Sequence, residues 1–324
     1  MIKVNKKLVV SSSPHIRSIE SIQSIMGDVL IALLPAVIMA VFLFGYRALL
    51  TIIIAMGSAM LAEAIWLKKK DIFSDGSAAV TGLLLALTLP PAPPWWLVVV
   101  GSVAAIIIGK QVFGGIGYNI FNPALVGRAI IVVSWGSHMA GNIWSPPQLF
   151  NFSADVSAVT TATVLALPQE ALAHSLGQLF IGNMAGCLGE TSALALLLGG
   201  LWLYFKGHID IRIPVCYLGM VFTLGVLFGG GTYHSPLFTG LFHLFSGGVM
   251  LGAIYMATDM VTTPVTPRGK VIFGIGCGLI TMMIRFWGSL PEGVTFAILI
   301  MNAVTPIIDN YTTPQPFGRM SNSA

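Results

Sequence analysis

The residues of this sequence with chemistry to offer are the polar side chains set inside long apolar stretches, because each is expensive to hold in hydrocarbon. One group is Asn119, Asn122 and Arg128, in the string Gly117-Tyr-Asn-Ile-Phe-Asn-Pro-Ala-Leu-Val-Gly-Arg128. A second is Thr258, Asp259, Thr262 and Thr263, in Met256-Ala-Thr-Asp-Met-Val-Thr-Thr-Pro264, and a third is Glu292 with Asn302. Clustered beside proline and glycine breaks, such groups are candidates for function. They equally serve to cap broken helices and to satisfy loosened backbone.

A fourth string, Asp155-Val-Ser-Ala-Val-Thr-Thr-Ala-Thr163, is rich in hydroxyls. By composition it reads as a turn, or as the N-cap of a helix starting near Val164. A threonine near a helix start also meets free backbone N–H groups, which hold a phosphate well. Other chemistries find no support. His138, His174, His234 and His243 fall at unrelated spacings, and no nucleophile has an adjacent base. Cys187, Cys216 and Cys277 form no metal motif and read as small buried hydrophobes, which leaves open one cysteine shared with a partner subunit. Glu63 and Glu190 read as boundary residues of their helices.

The elements that must position these groups are membrane helices. The chain of 324 residues is 56% hydrophobic and 9% charged, against roughly a quarter charged in a soluble domain, so a water-soluble fold is excluded. Apolar stretches near 28–45, 48–67, 77–90, 95–113, 119–135, 189–205, 213–229, 236–257, 271–287 and 291–308 predict ten spans. Pro90, Pro91, Pro93 and Pro94 break the third, and Gly114, Gly115 and Gly117 separate the fourth from the fifth. Such breaks survive only against protein or a wet cavity.

Lysine and arginine set the orientation. With the N-terminal arm in the cytoplasm, fourteen of the sixteen basic residues fall on that side, Arg128 among them, and only Arg47 and Arg285 fall outside. No signal peptide is read in the arm. The organisation predicted is a cytoplasmic arm (1–27), a first membrane repeat (28–135), an external loop (136–188), a second repeat (189–308) and a cytoplasmic tail (309–324). Gly82-Leu-Leu-Leu-Ala-Leu-Thr88 and Gly252-Ala-Ile-Tyr-Met-Ala-Thr258 are similar, and each precedes prolines, a span and a glycine break. Five spans per half make this an inverted repeat, so the fold class expected is all-α integral membrane, two inverted five-helix repeats with broken helices.

Several strings together resemble one family, the D subunit of the Rnf electron-transport complex and its relative, the B subunit of the sodium-translocating NADH:quinone oxidoreductase. They are Ser13-Pro-His15, Asp75-Gly-Ser77, Leu84-Leu-Ala-Leu-Thr-Leu-Pro-Pro91, Phe121-Asn-Pro-Ala-Leu-Val-Gly-Arg-Ala129, Met256-Ala-Thr-Asp259 and Pro291-Glu-Gly-Val-Thr-Phe-Ala-Ile-Leu-Ile-Met-Asn302. The ordered set runs through nearly the whole chain. The short N-terminal arm is more similar to the Rnf subunit.

The resemblance implies a redox subunit of an ion-translocating oxidoreductase, not catalytic alone, that relays electrons between ferredoxin and NAD while Na⁺ or H⁺ crosses the bacterial inner membrane. It implies FMN joined through its phosphate to a threonine in a Ser/Thr-Gly-Ala-Thr-like motif, added by a flavin transferase on the outer face. Thr160-Thr-Ala-Thr163 matches and assigns the attachment to Thr163, with Thr160 and Thr161 as fallbacks; Thr161 stands where glycine is frequent and Val164 where proline often follows. It further implies a noncovalent riboflavin, placed beside Asn122 and Asp259, and partners among the other Rnf subunits, the A, B, C, E and G components. Asp259 and Glu292 are the acidic groups expected on the ion path; no resident metal and no nucleic acid is expected. Two other readings share the architecture: a solute channel or transporter, and the quinone-reductase subunit.

Overall fold

The computed structural model describes residues 20–68, 75–139, 186–190, 192–229, 235–288 and 293–314, together with Gly177, Phe180 and Gly182. Among the described residues every regular element is helical. The helices are α1 (Ile22–Phe44), α2 (Tyr46–Leu67), α3 (Ser77–Leu87), α4 (Trp95–Ile107), α5 (Pro123–Ser134), α6 (Ala193–Phe205), α7 (Arg212–Phe228) and α8 (Pro236–Phe245), followed by α9 (Val249–Met256), α10 (Pro267–Trp287) and α11 (Val294–Thr312). Each of the ten apolar stretches has its helix, and the eighth holds two, α8 and α9, bent by 65° at the break.

Chain chemistry explains the boundaries. Asn122, Ser192, Ser235 and Thr266 cap their helices by accepting backbone N–H bonds, and Pro123, Pro236 and Pro267 follow three of them in the first turn, where a missing N–H costs nothing. α3 ends at Thr88 just before the prolines. Among the described residues five helices are long and apolar enough to cross a bilayer, or six if the bent pair counts as one span. The predicted ten spans are therefore unequal. At 1.5 Å per residue, the 11 residues of α3 reach about 16 Å, roughly half of a hydrocarbon core. Its end lies inside the bundle.

Small residues let the backbones touch, which is how helices associate where no water is expelled between them. A Cβ on Gly82 of α3 would stand 2.7 Å from the Ala55 carbonyl oxygen of α2, and one on Gly127 of α5 would stand 2.6 Å from that of Gly101 in α4. Gly274 and Gly278 of α10 press nearly as closely on the Ile213 and Tyr217 carbonyls of α7.

The packing repeats. In the first half α2 lies against α3 and α4, and α4 against α5; in the second half α7 lies against α8 and α10, and α10 against α11. The first helix of each half, α1 and α6, pack on each other. They run antiparallel: Asp28 in the first turns of α1 meets Lys206 and His208 just past the end of α6. The second half is thus inverted relative to the first. One end of the bundle gathers Lys68, Lys110, Lys206, Arg212, Arg268 and Lys270, as expected, and Arg285 sits at the other. Arg128 belongs to neither end. It is 6% exposed, and its guanidinium donates to the Thr88 carbonyl where α3 stops, which corrects its assignment to the basic face.

Candidate functional site

A cavity opens at the basic end, with an empty volume of about 830 Å³ including its mouth. Both halves build it. Thr81, Asn119 and Asn122 come from the first, and Tyr255, Thr258 and Asp259 from the second, between aliphatic walls such as Val29, Val80 and Leu84.

Each polar group is there for a local reason. α5 must begin inside the protein, so its free N–H groups need a cap. Asn122 supplies it: Oδ1 accepts from the backbone of Ala124 at 3.1 Å and Leu125 at 3.4 Å. Its Nδ2 donates to the Met256 carbonyl at 3.2 Å, where the second half's broken helix ends. That helix finishes in a five-residue π turn, Gly252–Met256, a distortion frequent at functional sites. The Tyr255 hydroxyl reaches the carbonyls of Leu196 at 3.0 Å and Ala32 at 3.2 Å, fixing the turn against α6 and α1. Asp259 opens the next loop, its carboxylate accepting from the Val261 N–H at 3.5 Å and the Thr262 hydroxyl at 3.4 Å.

The structure therefore brings Asn119, Asn122, Thr258 and Asp259 together from opposite halves. Arg128 is elsewhere, in a smaller cavity of about 270 Å³ toward the other end, with Thr88, Cys187, Glu190 and Thr295. Asn302 lies on α11, fully buried. Thr163 and Glu292 lie outside the described residues, as do Thr160 and Thr161. Among the described residues no group of three His, Cys, Asp or Glu is arranged to hold a metal ion.

Sequence reading missed one feature of the larger cavity. Lys110 lines it and is 3% exposed on its side chain, with Nζ 2.6 Å from a Glu63 carboxylate oxygen. Gln111 donates to that same oxygen at 2.7 Å, and Lys110 also bonds the Ser77 hydroxyl. Glu63 is thus no boundary residue but half of an interior ion pair. The partners lie 47 residues apart, so no local spacing announces them.

Outside the spanning segments, Asp210 links the loop after α6 to α10. Burial alone would raise its pKa, but a bond from the Arg212 N–H and one from Lys270 Nζ at 3.0 Å, with their charges, hold it below its ordinary value.

A family model described as the NQR2, RnfD, RnfE family matches residues 9–318. Over 319 residues the chain is 47% identical to the D subunit of the Na(+)-translocating ferredoxin:NAD(+) oxidoreductase complex of Acetobacterium woodii, covering 96% of this chain and 95% of that relative. It is 44% identical to the D subunit of the proton-translocating ferredoxin:NAD(+) oxidoreductase complex of Clostridium ljungdahlii, across 95% of this chain and 96% of the other. The D subunit of the ion-translocating oxidoreductase complex of Stutzerimonas stutzeri is 40% identical over 92% of this chain and 93% of its own length.

Proposed function

The chain belongs to the NQR2, RnfD, RnfE family, and from that premise we propose that it is the D-type membrane subunit of an ion-translocating ferredoxin:NAD⁺ oxidoreductase complex. Its partners are then the other Rnf subunits, and its place is the bacterial inner membrane with both termini and the basic end facing the cytoplasm. The relatives that carry the ferredoxin:NAD⁺ name favour this over the quinone-reductase subunit, and family membership favours it over a solute transporter.

The observation that carries the reading is the cavity shared by the two halves, where Asn122 and Asp259 meet. A flavin fits the chemistry of its lining. The aliphatic walls suit the isoalloxazine, while the amides of Asn119 and Asn122 and the hydroxyls of Thr81 and Thr258 suit its polar edge and a ribityl chain. When bound, riboflavin supplies electron transfer; the protein fixes its position, hydrogen bonding and dielectric surroundings. The second flavin, FMN, is tethered through a phosphoester to the Thr163 hydroxyl in the external loop. Asp259 and Glu292 stand on the ion path. Two relatives are named for different ions, Na⁺ and H⁺, and either suits a carboxylate there.

Intact-mass measurement tests the tether: the native chain carries the added mass of FMN, and Thr163→Val loses it. An unmodified native chain overturns the assignment. Denaturing extraction tests the cavity, with riboflavin released from the native subunit and several-fold less from Asn122→Leu; equal release rejects that placement. Asp259→Asn and Glu292→Gln retain electron transfer and lose pumping, and a variant that keeps both removes its residue from the path.

A further inference from the structure

Helix α11 has a polar face that the flavin reading does not use. Thr295, Asn302 and Asp309 recur every seven residues, which puts them on one stripe of a helix at about 10 Å intervals. Thr295 lines the smaller cavity with Arg128 and Glu190. The Thr305 hydroxyl, beside the stripe, is shared between the Met301 carbonyl of its own helix at 3.0 Å and the Thr262 carbonyl at 3.2 Å, and Thr262 in turn donates to Asp259 in the larger cavity. Asp309 accepts the Val265 N–H at 3.0 Å at the basic end. The stripe thus runs from one cavity past the other to the basic end of the bundle.

Asn302 stands in the middle of it. The residue is 1% exposed, and neither its Oδ1 nor its Nδ2 has a hydrogen-bond partner among the described residues. Pro306 lies four residues on inside the same helix and has no N–H to give the Asn302 carbonyl. The side-chain amide is thus buried without a partner among the described residues, and the main-chain carbonyl of the same residue lacks its usual intrahelical donor. Its surroundings follow from the packing on either side: α11 meets Gly252 at Val294 and Ile298, and Thr262 at Thr305, so Asn302 falls level with the segment between the π turn and Asp259. A buried amide left without partners is costly, and native proteins meet such groups with ordered water. Water fits better than a bare cation, because water can both donate to Oδ1 and accept from Nδ2, whereas a cation cannot accept from Nδ2.

We propose that Asn302 holds a buried water site, the midpoint of a polar path along α11 that joins the two cavities and passes the coupling ion between them. The proposal rests on the reading of the subunit as part of an ion-translocating complex. It adds a position to that path which is neither acidic nor part of the flavin cavity.

The test uses the whole complex reconstituted in vesicles, with ion uptake measured per NAD⁺ reduced by ferredoxin. Asn302→Leu, close in size and apolar, is expected to lower that ratio at least ten-fold while flavin content and electron transfer persist. An unchanged ratio overturns the proposal. Should the leucine variant not assemble, an experimental map of the native complex that resolves waters decides: a water within hydrogen-bond distance of Asn302 Oδ1 or Nδ2 is expected, and a dry amide overturns it. A native complex that reduces NAD⁺ without ion uptake would instead reject the parent reading and leave the water site to the map.

Discussion

The two halves share a packing plan and differ in how each secures its broken helix. In the first half, Lys110 and Glu63 form a buried ion pair beside the cavity, with Asp75 3.9 Å from the same ammonium, and Lys110 also holds Ser77, where α3 begins. In the second half, the corresponding basic residue at the end of α10 is Arg285. It donates to two main-chain carbonyls, His243 at 2.6 Å and Ser246 at 2.9 Å, where α8 stops and the chain bends. The start of α3 is thus held by a charge pair, whereas the buried ends of α3 and α8 are each met by a cation on backbone carbonyls, Arg128 in the first half and Arg285 in the second. A charge pair makes its two members dependent on each other, whereas carbonyls that lose their cation are neutral groups.

That contrast is open to mutation, and the largest effect belongs to the first half. Glu63→Ala leaves the buried Lys110 ammonium with the more distant Asp75 carboxylate, 3.9 Å away, and is expected to destabilise by about 3 kcal/mol, whereas the double change Glu63→Leu with Lys110→Met recovers most of the loss. Thermal unfolding of the purified subunit reads both, and a double variant no better than the single one would show that the pair is not the unit. Arg285→Met comes next, at about 1–3 kcal/mol, because the two helix-end carbonyls that lose a charged donor are themselves neutral. An Arg285→Met cost equal to that of Glu63→Ala would erase the distinction between the halves.

Smaller effects report on the seam. Tyr255→Phe removes the hydroxyl that ties the π turn to α1 and α6, an expected cost of about 1 kcal/mol. Riboflavin retention should fall with it, since Tyr255 lines the same cavity. Asp210 gives the least. Its depressed pKa means that its contribution is present above the ordinary carboxylate pKa of about 4 and is lost as pH falls through the lower folded value. Native protein should therefore lose slightly more melting temperature between pH 5 and pH 3 than Asp210→Asn does; identical slopes would show that the Asp210–Lys270 link contributes nothing.

Much of this architecture is local, and local features are legible in a chain. Apolar runs, caps such as Asn122 and Thr266, and the proline stop after Thr88 each act within a few residues. The ten stretches therefore appear where hydropathy places them. Asn122 and Asp259 stand out for the same reason, as polar groups beside breaks in apolar sequence, and the inverted repeat accounts for their meeting. Basic residues gather at one end because lysine and arginine are retained on one side of a membrane, a bias that can be counted loop by loop along the chain. Arg128 escapes that rule: its partner, the Thr88 carbonyl, is 40 residues away and exists only because α3 stops inside the protein.

Short-range hydrophobicity and backbone chemistry were thus enough to set the class of fold, the order of apolar helices, the basic end and the polar residues worth watching. Which of those residues share a space was a matter of tertiary packing. Folding joined Lys110 to Glu63, hung Tyr255 between two helices, and left the Asn302 amide between two cavities with no partner among the described residues. Those outcomes depend on how the two inverted halves close on each other, where a few ångströms determine whether a buried polar group finds a partner in the chain or must take one from outside it.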